Sequence, residues 1–205
     1  MTSRDGTANV LGALALALND RATAATAAAA GHSASAAAAL SALLHFLDRP
    51  TLDHLRKVLG LTPSGAVRLV DRLTEAGLVT RGPGGDGRSR SVHLTPRGRA
   101  TAARVSRARM EVLEEALADF SPAERSALHG LLDRAMARVV QVKEGGAWIC
   151  RLCDLEACGR PAGNCPAANA AAVRYDVADP RSAGSAGDRL GVGVGTDGQP
   201  ARRAG

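Results

Sequence analysis

The chain has 205 residues, 45% of them hydrophobic and 22% charged, the balance of a globular protein long enough to bury a core. Aromatic residues make up only 2% (Phe46, Phe120, Trp148 and Tyr175), which excludes a single-strand binder built on base stacking and leaves the core to Leu, Val and Ala. The formal net charge is +6 and the only lysines are Lys57 and Lys143, so the basic surface is arginine and calls for a polyanionic partner.

Residues 10–18, VLGALALAL, have the length of a signal-peptide core, but Asp5 offsets Arg4 before the run and Asn19-Asp20-Arg21 interrupts it. The run is too short to span a bilayer. The expectation is a cytoplasmic protein, whose cysteines are thiols or metal ligands rather than disulfides. Apolar spacing predicts a helix over 8–30, ended by Gly31. A second helix, capped by Ser33 or Ser35 and carrying Leu40, Leu43, Leu44 and Leu47 on one side, is stopped by Pro50. Thr51 caps a third helix, Leu52 to Leu59, closed by Gly60; Thr62 caps a fourth, with Pro63 at its first position and Gly77 at its end. Two strands follow, near 78–81 and 90–94, joined by the Gly82-Pro83-Gly84-Gly85-Asp86-Gly87 tip. Pro96 opens a long helix to about Asp119, and Ser121-Pro122-Ala123-Glu124 is a capping box opening a last one to about Lys143. Gly145-Gly146 reads as a hinge before a cysteine-bearing segment, and the tail over 176–205 is expected to be disordered.

Residues 52–79 carry the main functional signal. A short helix, a tight turn and a capped second helix make a helix-turn-helix. Packing Leu55, Val58 and Leu59 against Val67, Val70 and Leu73 leaves Ser64, Arg68 and Arg72 on the opposite stripe. A hydroxyl and two guanidiniums on an exposed helix suit a major groove, where Arg bonds guanine and Ser reaches base edges or phosphate. The start of that helix, with Thr62 and Gly65, offers N–H groups to a phosphate. The bland alternative is a solvated face, with Asp71 and Glu75 pairing the arginines. The basic hairpin, with Arg81 going up and Arg88 and Arg90 returning, weighs against it. An arginine at such a tip can enter a narrow minor groove.

Residues 59–79, LGLTPSGAVRLVDRLTEAGLV, followed by Asp86-x-Arg88 and then Leu94-Thr95-Pro96-Arg97-Gly98, closely resemble the MarR family of bacterial transcriptional regulators. The resemblance extends over about residues 8–143. It implies a mainly α fold with a small β-wing, in which a dimeric winged helix-turn-helix binds DNA through the helix beginning at Thr62 and the wing around Arg88. It further implies an N-terminal dimerisation helix (1–31), a winged helix-turn-helix (32–95) and further dimerisation helices (96–144). The apolar first helix, and the stripe Leu128, Leu131, Leu132, Met136 and Val139 in the last one, independently ask for a partner surface. The chain departs from the family in its Gly-rich wing tip and in a four-cysteine extension over 147–168.

All four cysteines lie in that extension: Cys150, Cys153, Cys158 and Cys165, as C-x2-C-x4-C-x6-C. A C-x2-C pair lets two thiolates reach one ion from a single turn, and two more close a tetrahedron. A structural zinc site is the leading reading. A redox switch is second, since thiols beside Arg151 and Arg160 would be reactive. An iron–sulfur cluster is third, because four cysteines ending in Cys-Pro suit it. The five histidines are scattered without metal spacing, and no phosphate loop, nucleophile elbow or His-Glu-x-x-His occurs. The chain is therefore expected to be no enzyme but a homodimeric regulator of transcription. It would read a pseudo-palindromic operator in double-stranded DNA through Thr62, Ser64, Gly65, Arg68, Arg72, Arg81, Arg88 and Arg90, with a small-molecule effector or the state of the cysteines modulating it. The competing reading is a metal- or redox-dependent protein-interaction module on a degenerate winged helix, which would have no need of the arginine set.

Overall fold

The computed structural model describes residues 6–83, 90–140 and 149–175. In chain order come α1 (Gly6–Ala30), α2 (Ala34–His45), α3 (Leu52–Leu59), α4 (Pro63–Glu75), β1 (Val79–Pro83), β2 (Arg90–Leu94), α5 (Pro96–Glu115) and α6 (Pro122–Val140). A single 3-10 turn, Cys150–Leu152, and a helix α7 (Pro166–Tyr175) follow. The architecture is mainly helical with one two-stranded antiparallel sheet, as the sequence predicts.

Side-chain caps set most helix starts. Ser33, not Ser35, caps α2 by accepting from the Ala36 N–H at 3.4 Å. Thr51 accepts from His54 at 3.2 Å, and Thr62 from Gly65 at 3.1 Å. Each satisfies an amide that the first helical turn leaves without a partner. Gly60 ends α3 at φ 65° and Gly77 follows α4 at φ 68°, the left-handed conformation that closes a helix at least cost in glycine. Helix α5 is shorter than expected: it ends at Glu115, and 116–119 form turns.

Helix α2 is the centre of the core. Every residue from Ala36 to Leu43 is buried, so it is enclosed on all sides rather than along one leucine stripe. Five of those residues are alanines, which let neighbouring backbones come close. Around α2 pack Leu55 and Val58 of α3, Leu69, Val70 and Leu73 of α4, Val79 and Val92 of the sheet, and Ala102 and Val105 of α5. Leu47 is buried too, but just beyond the helix end.

The long helices are differently placed. Helix α1 bends 78° away from α2 and lies along α5, with Arg21 bound to Glu115 at 2.6 Å. It buries only Thr26 and Ala30, while Val10, Leu11, Leu14 and Leu16 are exposed. Helix α6 buries only Val140 and exposes Leu131, Leu132 and Val139. No single helix among the described residues is long and apolar enough to cross a membrane.

The sheet is pinned at both ends. Its register runs from Val79 opposite Leu94 to Pro83 opposite Arg90. Thr51 bridges to Ser91 and the Val92 N–H bonds the Pro50 carbonyl at 3.0 Å, so the start of α3 adds to the β2 edge. At the other end Thr95 accepts from the Gly98 N–H at 2.9 Å and donates its hydroxyl to the Gly77 carbonyl at 2.7 Å. Its own N–H bonds the Leu78 carbonyl at 3.0 Å. A Cβ on Gly98 would lie 1.9 Å from that same Leu78 oxygen, so only glycine fits.

Gly98→Ala is therefore expected to force the start of α5 off the Leu78 carbonyl and to cost at least about 1–3 kcal/mol, the usual penalty for an extra methyl in a tight site. Thr95→Ala should cost about 0.5–2 kcal/mol through the lost cap. Urea unfolding checks both, and unchanged midpoints would show that this junction is not what holds the sheet.

Candidate nucleic-acid interface

The interface builds up from the Gly60 turn. The Leu61 N–H reaches back to the Arg56 carbonyl at 3.0 Å, closing α3 and turning the chain into α4. Pro63 occupies the first turn of α4, where its missing N–H loses nothing. Inward, α4 presents Ala66, Leu69, Val70 and Leu73. Outward it presents Ser64, Val67, Arg68 and Arg72. The expected burial of Val67 is thus corrected: it is 41% exposed, because Ala66 and Leu69 take the inner positions with Val70 and Leu73. Periodicity alone left that choice open, since a valine fits either face. An exposed valine between a serine and an arginine gives the stripe an apolar contact suited to a thymine methyl.

The predicted site residues divide by what already occupies them. Ser64 and Arg68 are exposed, and Arg68 has no ion-pair partner among the described residues. Thr62 and Gly65 bond each other in the cap, so the Gly65 N–H is engaged there and is not free to take a phosphate. Arg72 is exposed and also lines an open cleft of about 280 Å³ with His32, Ser33, Ala36, Leu69 and Leu73. Arg81 is bound to Asp71 of α4 at 2.5 Å and so braces the sheet against that helix. The sequence paired Asp71 with arginines of its own helix; the chain reversal at Gly77 brings Arg81 instead. Arg90 is exposed at the start of β2. Gly82 and Pro83 of the expected tip belong to β1, while Arg88, with Asp86 and the rest of residues 84–89, lies outside the described residues, as do Gly145-Gly146 and the tail over 176–205.

The cysteines form a second group. Cys150 and Cys165 are buried, Cys153 and Cys158 half-buried. They pair: Cys150 hydrogen-bonds with Cys153, and Cys158 with Cys165. The bond to Cys150 lowers Cys153 to about 6, helped by the Arg109, Arg160 and Arg151 guanidiniums. The same bond, then burial, raises Cys150. Burial raises Cys158 to about 11. Among the described residues no three His, Cys, Asp or Glu side chains already stand gathered for an ion. The expected hinge at Gly145-Gly146 lies outside the described residues; the segment beyond it is in contact with the rest of the chain, the 3-10 turn packing against α2, and α7, which the sequence reading missed, packing against α6. Pro166 followed by an alanine-rich run was the available signal for α7.

A helix-turn-helix followed by a two-stranded wing defines a winged-helix DNA-binding fold. A sequence model of the MarR family matches residues 30–89, from the end of α1 into the wing. Among solved structures, the chain is similar to a probable transcriptional regulator from Pseudomonas aeruginosa, at 30% identity, 60% of this chain and 95% of that chain covered, and a TM-score of 0.45. It is similar to the reduced form of MarR from E. coli, at 24% identity, 61% and 95% covered, and a TM-score of 0.50. It is also similar to MepR, a transcription regulator of the Staphylococcus aureus multidrug efflux pump MepA, at 16% identity, 64% and 97% covered, and a TM-score of 0.56. No curated protein matches the sequence. The chain belongs to the MarR family; it is a transcriptional regulator rather than an enzyme.

The Asp71–Arg81 pair is half-exposed, so a double-mutant cycle on stability should return a coupling of only about 0.2–1 kcal/mol. A coupling of several kcal/mol would mean that the pair holds the fold together rather than aiming the wing.

Proposed function

We propose that the protein works as a homodimer that binds a pseudo-palindromic operator, with α4 of each protomer in a major groove and each wing against the neighbouring minor groove. The observation that carries this reading is the capped, outward face of α4, where Ser64, Val67 and Arg68 are exposed side by side. Arg68 makes the base contact, Ser64 and Thr62 meet phosphate or base edges, and Arg88 and Arg90 serve the wing. Arg81 contributes by fixing the wing rather than as a free cation. A regulator of this kind acts in the cytoplasm, on the chromosome.

Dimerisation is supported by the apolar residues that one chain leaves in water. Leu16 on α1 is 65% exposed and Leu131 on α6 is 59% exposed, and each has apolar neighbours on the same helix that are also exposed. Long helices with so little buried are completed by a second copy. The cleft beside Arg72 is the place for a small effector: its walls come from α2 and α4, so an occupant there bears on an operator-facing side chain.

Two outcomes test this reading. Arg68→Ala is expected to weaken operator binding by about 1–3 kcal/mol and to relax base preference, while Arg88→Ala weakens all sequences more evenly, both measured by fluorescence anisotropy on operator and scrambled duplexes. Wild-type affinity in both variants would sink the groove assignment. Sedimentation should give a dimer at micromolar concentration, footprinting should give half-sites about 10 bp apart, and affinity should fall steeply with salt as phosphate contacts release counterions. A monomer, or binding indifferent to salt, would count against the dimeric reading.

A further inference from the structure

We propose that Cys150, Cys153, Cys158 and Cys165 hold one metal centre through four thiolates, and that this centre fastens the C-terminal segment onto α2. The first support is spatial. The 3-10 turn closes with the Cys153 N–H on the Cys150 carbonyl at 2.8 Å, the turns at Gly159 (φ 66°) and Gly163 (φ 76°) bring Cys165 into the cluster against which Cys158 packs, and Arg160, between those two cysteines in sequence, reaches Cys150 Sγ at 3.7 Å. Backbone bonds hold that path, from Arg160 N–H to the Leu155 carbonyl at 3.1 Å and from Asn164 N–H to the Gly159 carbonyl at 2.9 Å. The sulfurs thus sit as two neighbouring pairs that an ion would draw together.

The second support is energetic. The hydrophobic cluster under this segment has Val140, Cys165, Ala167 and Ala168 buried, with Met136, Ile149, Cys158, Ala170 and Ala171 only partly buried against it. Apart from Met136 and Ile149 these are small side chains, which return little against a backbone ordering cost of about 1–2 kcal/mol per residue over 149–175. Segments with so small a core are held by metals or disulfides.

The third support is charge. Arg160 places Nη1 3.7 Å from Cys150 Sγ, and its Nε is buried with no hydrogen-bond partner. The positive charges of Arg109 and Arg151 also act on Cys153. A half-buried guanidinium with a buried, unpartnered Nε calls for negative charge on the sulfurs beside it. Four thiols that bind one Zn²⁺ release four protons and leave a tetrathiolate of charge −2, which these three guanidiniums offset. An iron–sulfur cluster would use the same thiolate ligation, and the assay separates the two.

The segment also touches the DNA-binding unit directly. Asp154, next to Cys153, points Oδ1 at His45 Nδ1 across 4.0 Å, and His45 Nε2 is 2.7 Å from Ser106 Oγ on α5. Asp154 is itself held by the Glu156 N–H at 3.0 Å. The centre therefore bears on the C-terminal end of α2, whichever ion fills it.

The experiment takes the full chain, purified without oxygen, and measures zinc, iron and acid-labile sulfide per chain. About one zinc without sulfide, or iron and sulfide in equal amounts with an absorption band near 400 nm, supports the centre. Neither metal, together with no zinc uptake on titration, overturns it. Cys153→Ser should lose the metal; should that variant not fold, chelation of the wild-type protein reads the same loss. Hydrogen exchange then reads the fastening: chelation should remove protection at residues 149–153 and at the end of α2, and unchanged protection there would overturn it. Asp154→Ala should keep the metal and lose protection only at α2. None of these readouts uses DNA, so they stand or fall separately from the operator-binding reading, on which only an effect of the metal on operator affinity would rest.

Discussion

The Leu78 carbonyl is the point on which the DNA-binding unit depends. It lies where α4 has ended and β1 is about to begin, and it receives the N–H of Thr95, where β2 has ended and α5 begins. The Thr95 hydroxyl takes the neighbouring Gly77 carbonyl, and the missing side chain of Gly98 lets α5 start in contact with both. Four elements meet within a few ångströms, so α4, the two wing strands and α5 have one common junction. The base of the wing is thus bonded directly to the start of α5, with no loop between them. The Leu-Thr-Pro-Arg-Gly run owes its composition to this geometry: a hydroxyl that donates and accepts at once, a proline at a helix start, and no Cβ three residues on.

A second constraint is the scarcity of large side chains. With few aromatics the core gains its density from close backbone approach instead, which the alanines of α2 permit. The fully buried residues of greatest volume are leucines and valines, and all of these except Val140 of α6 come from α2, α3, α4, the wing and α5 and belong to the cluster around that helix. Such a core has little slack, because an alanine packed on every side leaves no room for added methyl groups.

Local chemistry explains what was legible in the sequence. Caps, helix-ending glycines and the prolines at first-turn positions act within four residues of themselves, so the bounds of α3 and α4 and the existence of the wing could be read directly. The outward direction of Ser64, Arg68 and Arg72 followed from their four-residue spacing. What escaped were contacts between residues brought together by chain reversal. Val67 could have faced either way until Ala66 and Leu69 filled the inner side. Arg81 looked like a free wing cation until the turn at Gly77 set it against Asp71. The pairing of four cysteines was visible as clustering, but nothing in the spacing revealed that Asp154 meets His45 or that Arg160 reaches Cys150. Helix α7 was missed because an alanine-rich run without an apolar stripe gives no period.

The cations of α4 and of the described wing strands are all arginines, and the lysine nearest to them in sequence, Lys57, is on α3 and held by Asp53 at 2.9 Å. Guanidinium stays protonated throughout the physiological range and is not a substrate for acetylation. The charge offered to a duplex is therefore a constant: neither acidification nor lysine-modifying enzymes can turn it down. Control of such a surface has to be exercised by where the arginines point, and not by how many charges they carry.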